Sequence, residues 1–163
     1  MTFNFRTMDH EYFMREALKE AEISCKEGER PIGAVIIHEN RIIGRGRAQP
    51  LARKSNIAHA ELNAILSAEQ YLYENTHGEC VIYTTVEPCV MCLGAIVMAN
   101  IDNVVYGLDD NWIRPRDMLT LDYVRRHIKN YTSGVLAEAS ARLWEQSQWD
   151  ELLLLREGKQ RGE

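Results

Sequence analysis

The sequence predicts an α/β protein in which helices pack against a partly parallel sheet. Short runs of β-branched and apolar residues alternate with segments of helical periodicity, and no repeat or linker interrupts the alternation. The chain has 163 residues, of which 45% are hydrophobic and 26% charged, so it is long enough to bury a core. We therefore expect one domain over residues 1–163.

The first third of the chain predicts a helix, a hairpin and a loop, in that order. Residues 9–28 carry an apolar stripe at helical spacing and end at a glycine, which is a common helix stop. Residues 31–37 and 41–46 are apolar runs on either side of a short polar turn, as in a β-hairpin. Pro50 and its polar neighbours predict a loop over residues 48–58.

The rest of the chain alternates between helix and strand, starting with a helix that opens at His59. Later strands are predicted for residues 80–86, 103–107 and 127–134, and later helices for residues 89–100 and 135–146. The helix over 89–100 is almost wholly apolar, so we expect it in the middle of the protein or at an interface.

Charge and hydropathy argue against a membrane protein and against a nucleic-acid partner. No apolar run approaches the roughly 18 residues that a membrane span needs, and the N-terminus lacks a basic segment followed by an apolar one, so we expect a cytoplasmic protein. The net charge is −5, and the one acid-free basic run is interpreted as a solvated loop. That run contains Arg41, Arg45, Arg47, Arg53 and Lys54.

Two cysteines at the start of the apolar helix predict a metal site. Cys89 and Cys92 are three residues apart, so their sulfur atoms project from one helix face. Pro88 suits the first helical position, and the positive end of a helix lowers the pKa of nearby thiols. A pair of thiolates in an intracellular chain favours zinc.

His59 supplies a third ligand if the strands that precede the two helices are neighbours, because both helix N-termini then meet at one sheet edge. One histidine and two cysteines leave the fourth position of a single zinc ion open, as in catalytic sites. Cys80 as a fourth ligand would instead close a structural site. Cys80 opens a strand, however, and core packing is the simpler role for it.

Glu61 distinguishes catalysis from a structural role. Residues two apart on a helix point about 200° from one another, so Glu61 is not expected to bind the metal together with His59. A carboxylate beside the metal suits a general base that later acts as an acid.

The His-Ala-Glu and Pro-Cys-x-x-Cys motifs resemble the zinc-dependent cytidine and deoxycytidylate deaminase superfamily over roughly the whole chain. The resemblance implies one zinc ion held by His59, Cys89 and Cys92, with Glu61 moving protons while ammonia is released. It also implies a three-layer α/β/α sandwich around a five-stranded mixed sheet, and a homodimer or larger homo-oligomer with the apolar helix near the interface.

Three branches of the superfamily compete for the substrate: tRNA adenosine deaminases, free-base deaminases for guanine or cytosine, and deaminases of other small cyclic amidines or guanidines such as creatinine. The chain resembles the tRNA branch around "GAVI" and "EPCVMC". Its last twenty residues hold five acids against three bases, which is unfavourable for RNA.

The yeast-type cytosine deaminase branch is similar at further places, including "PIG", "IYTTVEPC" and the aromatics of the last third of the chain. Two aromatics that close over a small planar ring would exclude water, although core packing is an equal alternative. The residue pattern and the resemblance together suggest the following substrate-binding residues: Ala60, Glu87, Asp109, Asn111, Trp112 and Trp149. Ala48 stands where both nucleobase branches usually have an asparagine, and the missing amide favours a smaller or differently substituted ring.

The sequence therefore predicts a small-molecule deaminase, with cytosine and creatinine as leading substrates. The alternatives are a deaminase that converts tRNA adenosine to inosine, a guanine deaminase, and a non-catalytic zinc-binding module. Glu61 argues against the last of these, because a structural metal site has no use for a base.

Overall fold

A five-stranded mixed sheet forms the centre of the fold. A computed structural model describes residues 2–75 and 78–159, apart from the side chain of Trp149. The strands are β1 (Gly33–His38), β2 (Arg41–Arg47), β3 (Val81–Val86), β4 (Asn103–Leu108) and β5 (Asn130–Thr132). The strand order is β2-β1-β3-β4-β5; β1 runs antiparallel to both of its neighbours, and β3, β4 and β5 are parallel.

Helices cover both faces of the sheet, so the predicted three-layer α/β/α sandwich is confirmed. The helices are α1 (His10–Lys26), α2 (Pro50–Arg53), α3 (Ala60–Ser67), α4 (Glu69–Asn75), α5 (Val90–Met98), α6 (Asp122–His127), α7 (Ala137–Ser147) and α8 (Trp149–Glu157). Helices α1 and α7 lie on one face, and α3, α5 and α6 lie on the other. No helix of the described residues is both long enough and apolar enough to cross a membrane.

The central strands β3 and β4 are buried along their whole length, which explains their continuous apolar sequences. Successive side chains point to opposite faces, so each strand contributes to two cores. Ile82 and Val104 pack with α3 and α5, whereas Tyr83 and Val105 pack with α1. The two sheet faces therefore hold α3 and α5 on one side and α1 on the other in fixed positions.

The structure differs from the sequence-based expectation mainly in four short helices, one of which is α6, whose last residue, His127, was predicted to begin the following strand. The predicted loop over residues 48–58 contains α2. The buried carboxylate of Glu29 accepts hydrogen bonds from the backbone amides of Leu51 and Ala52 and so stabilises the first turn of this helix. The helix that opens at His59 ends at Ser67, and α4 follows it. Helix α8, which the sequence analysis did not predict, packs on α7.

Candidate active site

The N-termini of α3 and α5 meet at the sheet edge formed by the carboxyl ends of β2 and β3. The sequence analysis required these two strands to be neighbours, and that expectation was wrong, because β1 lies between them. Helix α3 reaches α5 because it packs closely across β2 and β1. A Cβ at Gly46 would lie 2.2 Å from the backbone oxygen of Ala60, so glycine at this position allows the close approach.

Three potential metal ligands lie together at this edge. The Nδ1 atom of His59 is 3.4 Å from the Sγ of Cys89 and 3.6 Å from the Sγ of Cys92. In a tetrahedral zinc site with ordinary bond lengths, nitrogen and sulfur ligands are about 3.6 Å apart. The three side chains therefore fit one zinc ion without rearrangement, and they form the single such group found among residues 2–75 and 78–159.

The electrostatics of the ligand group favour a bound cation. The thiol of Cys92 hydrogen-bonds to Cys89 and lowers the pKa of Cys89 to about 4, with a further contribution from His59. The hydrogen bond to Cys89 in turn raises the pKa of His59. Cys89 is also the N-cap residue of α5, where the helix dipole favours a thiolate. A divalent metal bound to His59 and Cys89 replaces the proton that the two side chains otherwise share.

Glu61 is buried beside the metal ligands without being one of them. It lines the cavity in front of His59, and it does not belong to the group of ligand atoms that lie within 4.8 Å of one another. The hydroxyl of Thr84 donates to its Oε1 at 3.0 Å. Burial raises the pKa of Glu61, and a raised pKa favours a carboxyl group that both takes and returns a proton.

A cavity of about 380 Å³ opens in front of Glu61 and the metal ligands. Its walls are mostly apolar and include Trp112, Ile113 and Trp144. Helix α8 forms the remaining wall through three of its side chains. This volume suits one planar ring, and the aromatic walls are suited to stacking. The side chains contributed by α8 are those of Glu151, Leu154 and Leu155.

Two of the suggested substrate-binding residues, Glu87 and Trp112, line the cavity. In place of a third, Asp109, the next residue along the chain lines it. Trp112 lines the cavity and is 49% exposed. Glu87 also lines it, but its carboxylate is fully buried and is hydrogen-bonded to Arg116, Tyr131 and the amide of Asp110. The side chain of Asp109 is half-exposed and does not line the cavity, and the neighbouring Asp110 forms the wall instead.

The other suggested substrate-binding residues have different surroundings. Ala60 is the first residue of α3, and its side chain is buried in the core. Asn111 anchors α8, since its amide donates to the carbonyl of Leu155 and its side chain donates to that of Arg156. The side chain of Trp149 lies outside the described part of the chain. Ala48 is buried and does not line the cavity.

Sequence reasoning missed Arg30, Trp144 and Glu151, all of which line the cavity. Arg30 and Glu151 form an ion pair at 2.6 Å, with both side chains partly exposed. The signal for Trp144 was its position on the apolar stripe of α7. Nothing local in the sequence indicated that α8 returns to the zinc edge, because that placement depends on long-range packing of Leu152 with Val86 and Leu108.

Comparison with known families identifies the region that carries this site. Residues 7–108 match the family described as the cytidine and deoxycytidylate deaminase zinc-binding region. The matched segment includes His59, Glu61, Cys89 and Cys92 and ends with β4. The last three helices, among them the α8 wall, lie beyond it.

Individual relatives are similar over the same share of the chain. A tRNA-specific adenosine deaminase of Streptococcus pyogenes serotype M18 is 43% identical over 108 residues, which are 66% of this chain and 68% of the relative. The aligned part of this chain spans between 56% and 63% of the length of other S. pyogenes relatives with the same description.

Two solved structures extend the comparison. A structure from a study of A-to-I editing by tRNA:A34 deaminases superposes with a TM-score of 0.73 at 30% identity, covering 81% of this chain and 98% of that one. A guanine deaminase of Bacillus subtilis superposes with a TM-score of 0.57 at 38% identity, covering 61% of this chain and 64% of that one.

Proposed function

The chain belongs to the cytidine and deoxycytidylate deaminase zinc-binding family, and from this premise we propose that it is a zinc-dependent hydrolytic deaminase that acts on adenosine in tRNA. The observation that carries the deaminase activity is the tetrahedral spacing of His59, Cys89 and Cys92 with Glu61 buried beside them. The adenosine substrate is supported by the names of the curated relatives.

In this proposal the chain's own residues hold the metal, move protons and exclude water. When bound, zinc lowers the pKa of a water ligand toward about 7 and so makes a nucleophile available at neutral pH. Glu61 takes the proton of the attacking water on its carboxylate and returns it to the ring nitrogen or to the departing amino group. Water replaces the amino group, so a ring carbonyl and ammonia are the products.

The substrate proposal departs from the leading expectation of the sequence analysis. Cytosine and creatinine receive no support from the relatives, whereas tRNA adenosine, the alternative, is named by several of them. The aromatic and apolar wall formed by Trp112, Ile113 and Trp144 suits a purine that has been turned out of the RNA stack.

A free purine base such as guanine is the second candidate, and a specific observation favours it. Helix α8 walls the cavity and is pinned by Asn111 and by the Arg30–Glu151 pair, so the ring site is enclosed. The basic run is also partly neutralised: Arg45 pairs with Glu16, and Arg47 pairs with Glu27. Neutralised arginines attract RNA phosphates weakly.

The test is product analysis with zinc-loaded protein. An RNA anticodon arm with adenosine at the wobble position, guanine, adenine, cytosine and creatinine are offered separately, and inosine and ammonia are measured. Inosine formation in the arm supports the proposal. Turnover of guanine without inosine formation establishes the second candidate and overturns the first. Absence of turnover on every substrate overturns both.

Charge reversals at the cavity mouth distinguish the two candidates independently. For an RNA substrate, we expect Arg30→Glu to raise KM and Glu151→Arg to lower it, each by about two- to fivefold, because both alter the potential that a phosphate meets. For neutral guanine, both changes break the same ion pair and should shift KM in the same direction. Steady-state kinetics at low salt measure the difference. The double variant Arg30→Glu/Glu151→Arg restores the pair and is the control.

Helix α5 is the proposed contact surface of a homodimer. Its outer face exposes Val90 at 49% and Met98 at 71%, and nothing lies within 4 Å of a Cβ built at Gly94. Isolated apolar side chains are common on surfaces, but a helix that is apolar all round needs a partner. We expect Met98→Glu to convert a dimer to monomers in sedimentation velocity. Tyr73→Glu, at an exposed site on α4, should leave the dimer intact; a wild-type monomer would contradict the assignment.

A further inference from the structure

The carboxylate of Glu87 is buried beside the cavity and accepts four hydrogen bonds. Its side chain is 0% exposed, and four donors reach its two oxygen atoms. The Nε and Nη2 of Arg116 donate at 3.1 and 2.7 Å, the hydroxyl of Tyr131 at 3.0 Å and the amide of Asp110 at 2.8 Å. Glu87 is followed directly by Pro88 and the metal ligand Cys89, so these bonds fix the start of the ligand turn.

Arg116 connects this carboxylate to the turn that forms the cavity wall. Besides its two bonds to Glu87, its Nη1 donates to the side-chain oxygen of Asn111 at 3.1 Å and its Nη2 donates to the carbonyl of Asp110 at 3.2 Å. A planar guanidinium makes these bonds in one fixed orientation. The pairing with Glu87 also raises the pKa of Arg116, so the side chain stays charged.

The turn between Asp110 and Arg116 begins two residues after β4 and is held by hydrogen bonds at several points. The carboxylate of Asp110 accepts the amides of Trp112 and Ile113 at 3.0 and 2.8 Å, which shapes the turn internally. The amide of Asn111 donates to the carbonyl of Leu155 in α8. The bonds to Glu87 link this turn directly to the residue that precedes Pro88 and Cys89, so they contribute to the position of Trp112 and Ile113 relative to the metal ligands.

We propose that Arg116, acting through Glu87 and assisted by Tyr131, is a positioning residue that sets the distance between the ring-binding wall and the metal-ligand turn. Arg116 is not among the residues that line the cavity, so it acts on substrate binding without touching the substrate. The inference depends on the proposed function only in taking the cavity as the place where a ring binds.

A purely structural role would lower the stability and leave the substrate affinity unchanged. Arg116→Lys separates the two roles, because lysine keeps the charge beside Glu87 but cannot also reach Asn111 and the carbonyl of Asp110. Arg114→Lys is the matched control on the same turn, since the side chain of Arg114 is 62% exposed and forms an ion pair with Asp117 at 3.2 Å. Tyr131→Phe removes one bond to Glu87 while keeping the ring packed near Tyr106.

The first readout is hydrogen exchange of the four consecutive amides 110–113, each of which is hydrogen-bonded in the structure. We expect about tenfold faster exchange at these amides in Arg116→Lys, the size expected for losing hydrogen bonds to a charged group, and unchanged exchange in Arg114→Lys. Tyr131→Phe should give a smaller increase, and it carries the test if Arg116→Lys does not fold. Unchanged exchange in the folded variants, or an equal increase in the control, overturns the inference.

The second readout is steady-state kinetics with the anticodon arm and with guanine. With whichever substrate the wild type accepts, we expect KM to rise in Arg116→Lys while kcat changes little, because the wall moves whereas Glu87 keeps the hydroxyl of Tyr131 and a positive charge beside it. Equal KM values in wild type and variant overturn the inference. Faster exchange at residues 110–113 in a protein that turns over neither substrate supports the positioning role and refutes the proposed function.

Discussion

Replacing Glu61 by glutamine is expected to lower kcat by about 10²- to 10⁴-fold, the usual contribution of a general acid–base group, while the bound zinc remains. Glutamine keeps the shape of the side chain and the bond from Thr84, but it cannot take a proton. The measurements are turnover of the accepted substrate and zinc content per chain. A Glu61→Gln variant with near wild-type kcat would remove Glu61 from the mechanism.

The same variant has an expected effect on stability with a definite sign. Burial raises the pKa of Glu61, so the folded metal-free protein favours the protonated form. Stabilisation from this group is complete below the unfolded-state pKa of about 4.3 and is lost as the pH rises through the higher pKa of the folded state. At pH 7 the metal-free Glu61→Gln protein should therefore unfold at a higher temperature than the wild type, with the difference vanishing below pH 4. Thermal unfolding at both pH values measures this.

The fold and the grouping of the three candidate metal ligands followed from the sequence because both depend on local patterns. Alternating apolar strands, the proline before Cys89 and the glycine after the first helix are short-range signals, and the structure has elements at each of these positions. The convergence of the ligands was predicted, but on the wrong ground that the two strands are neighbours: β1 separates β2 from β3, and Gly46 allows α3 to lie across the gap.

The cavity wall could not be predicted in the same way, because it is made by tertiary packing. A one-residue shift in a turn exchanges Asp109 for Asp110, and no periodicity fixes such a register. The direction of the Glu87 side chain depends on Arg116 and Tyr131, which are 29 and 44 residues away. Helix α8 reaches the site through Leu152, which is buried against residues of β3 and β4.

Removing a metal ligand is the second change with a large expected effect. We expect Cys92→Ala to lose its stoichiometric zinc and its deaminase activity, because two remaining ligands cannot hold the ion in a tetrahedral site. Cys80→Ala is the matched control: both cysteines are 0% exposed, so both changes leave a small gap in the interior. Zinc content by elemental analysis and the loss of activity on dialysis against a chelator measure the outcome.

The position of Cys80 favours an open metal site. Cys80 precedes β3 at the end of that strand away from the metal ligands, and it does not belong to the group formed by His59, Cys89 and Cys92. We therefore expect Cys80→Ala to keep one zinc per chain and to retain activity, with three protein ligands and the fourth position available for catalysis. If Cys80→Ala loses zinc as completely as Cys92→Ala, disturbing the core is enough to lose the metal, and the loss in Cys92→Ala does not identify Cys92 as a ligand.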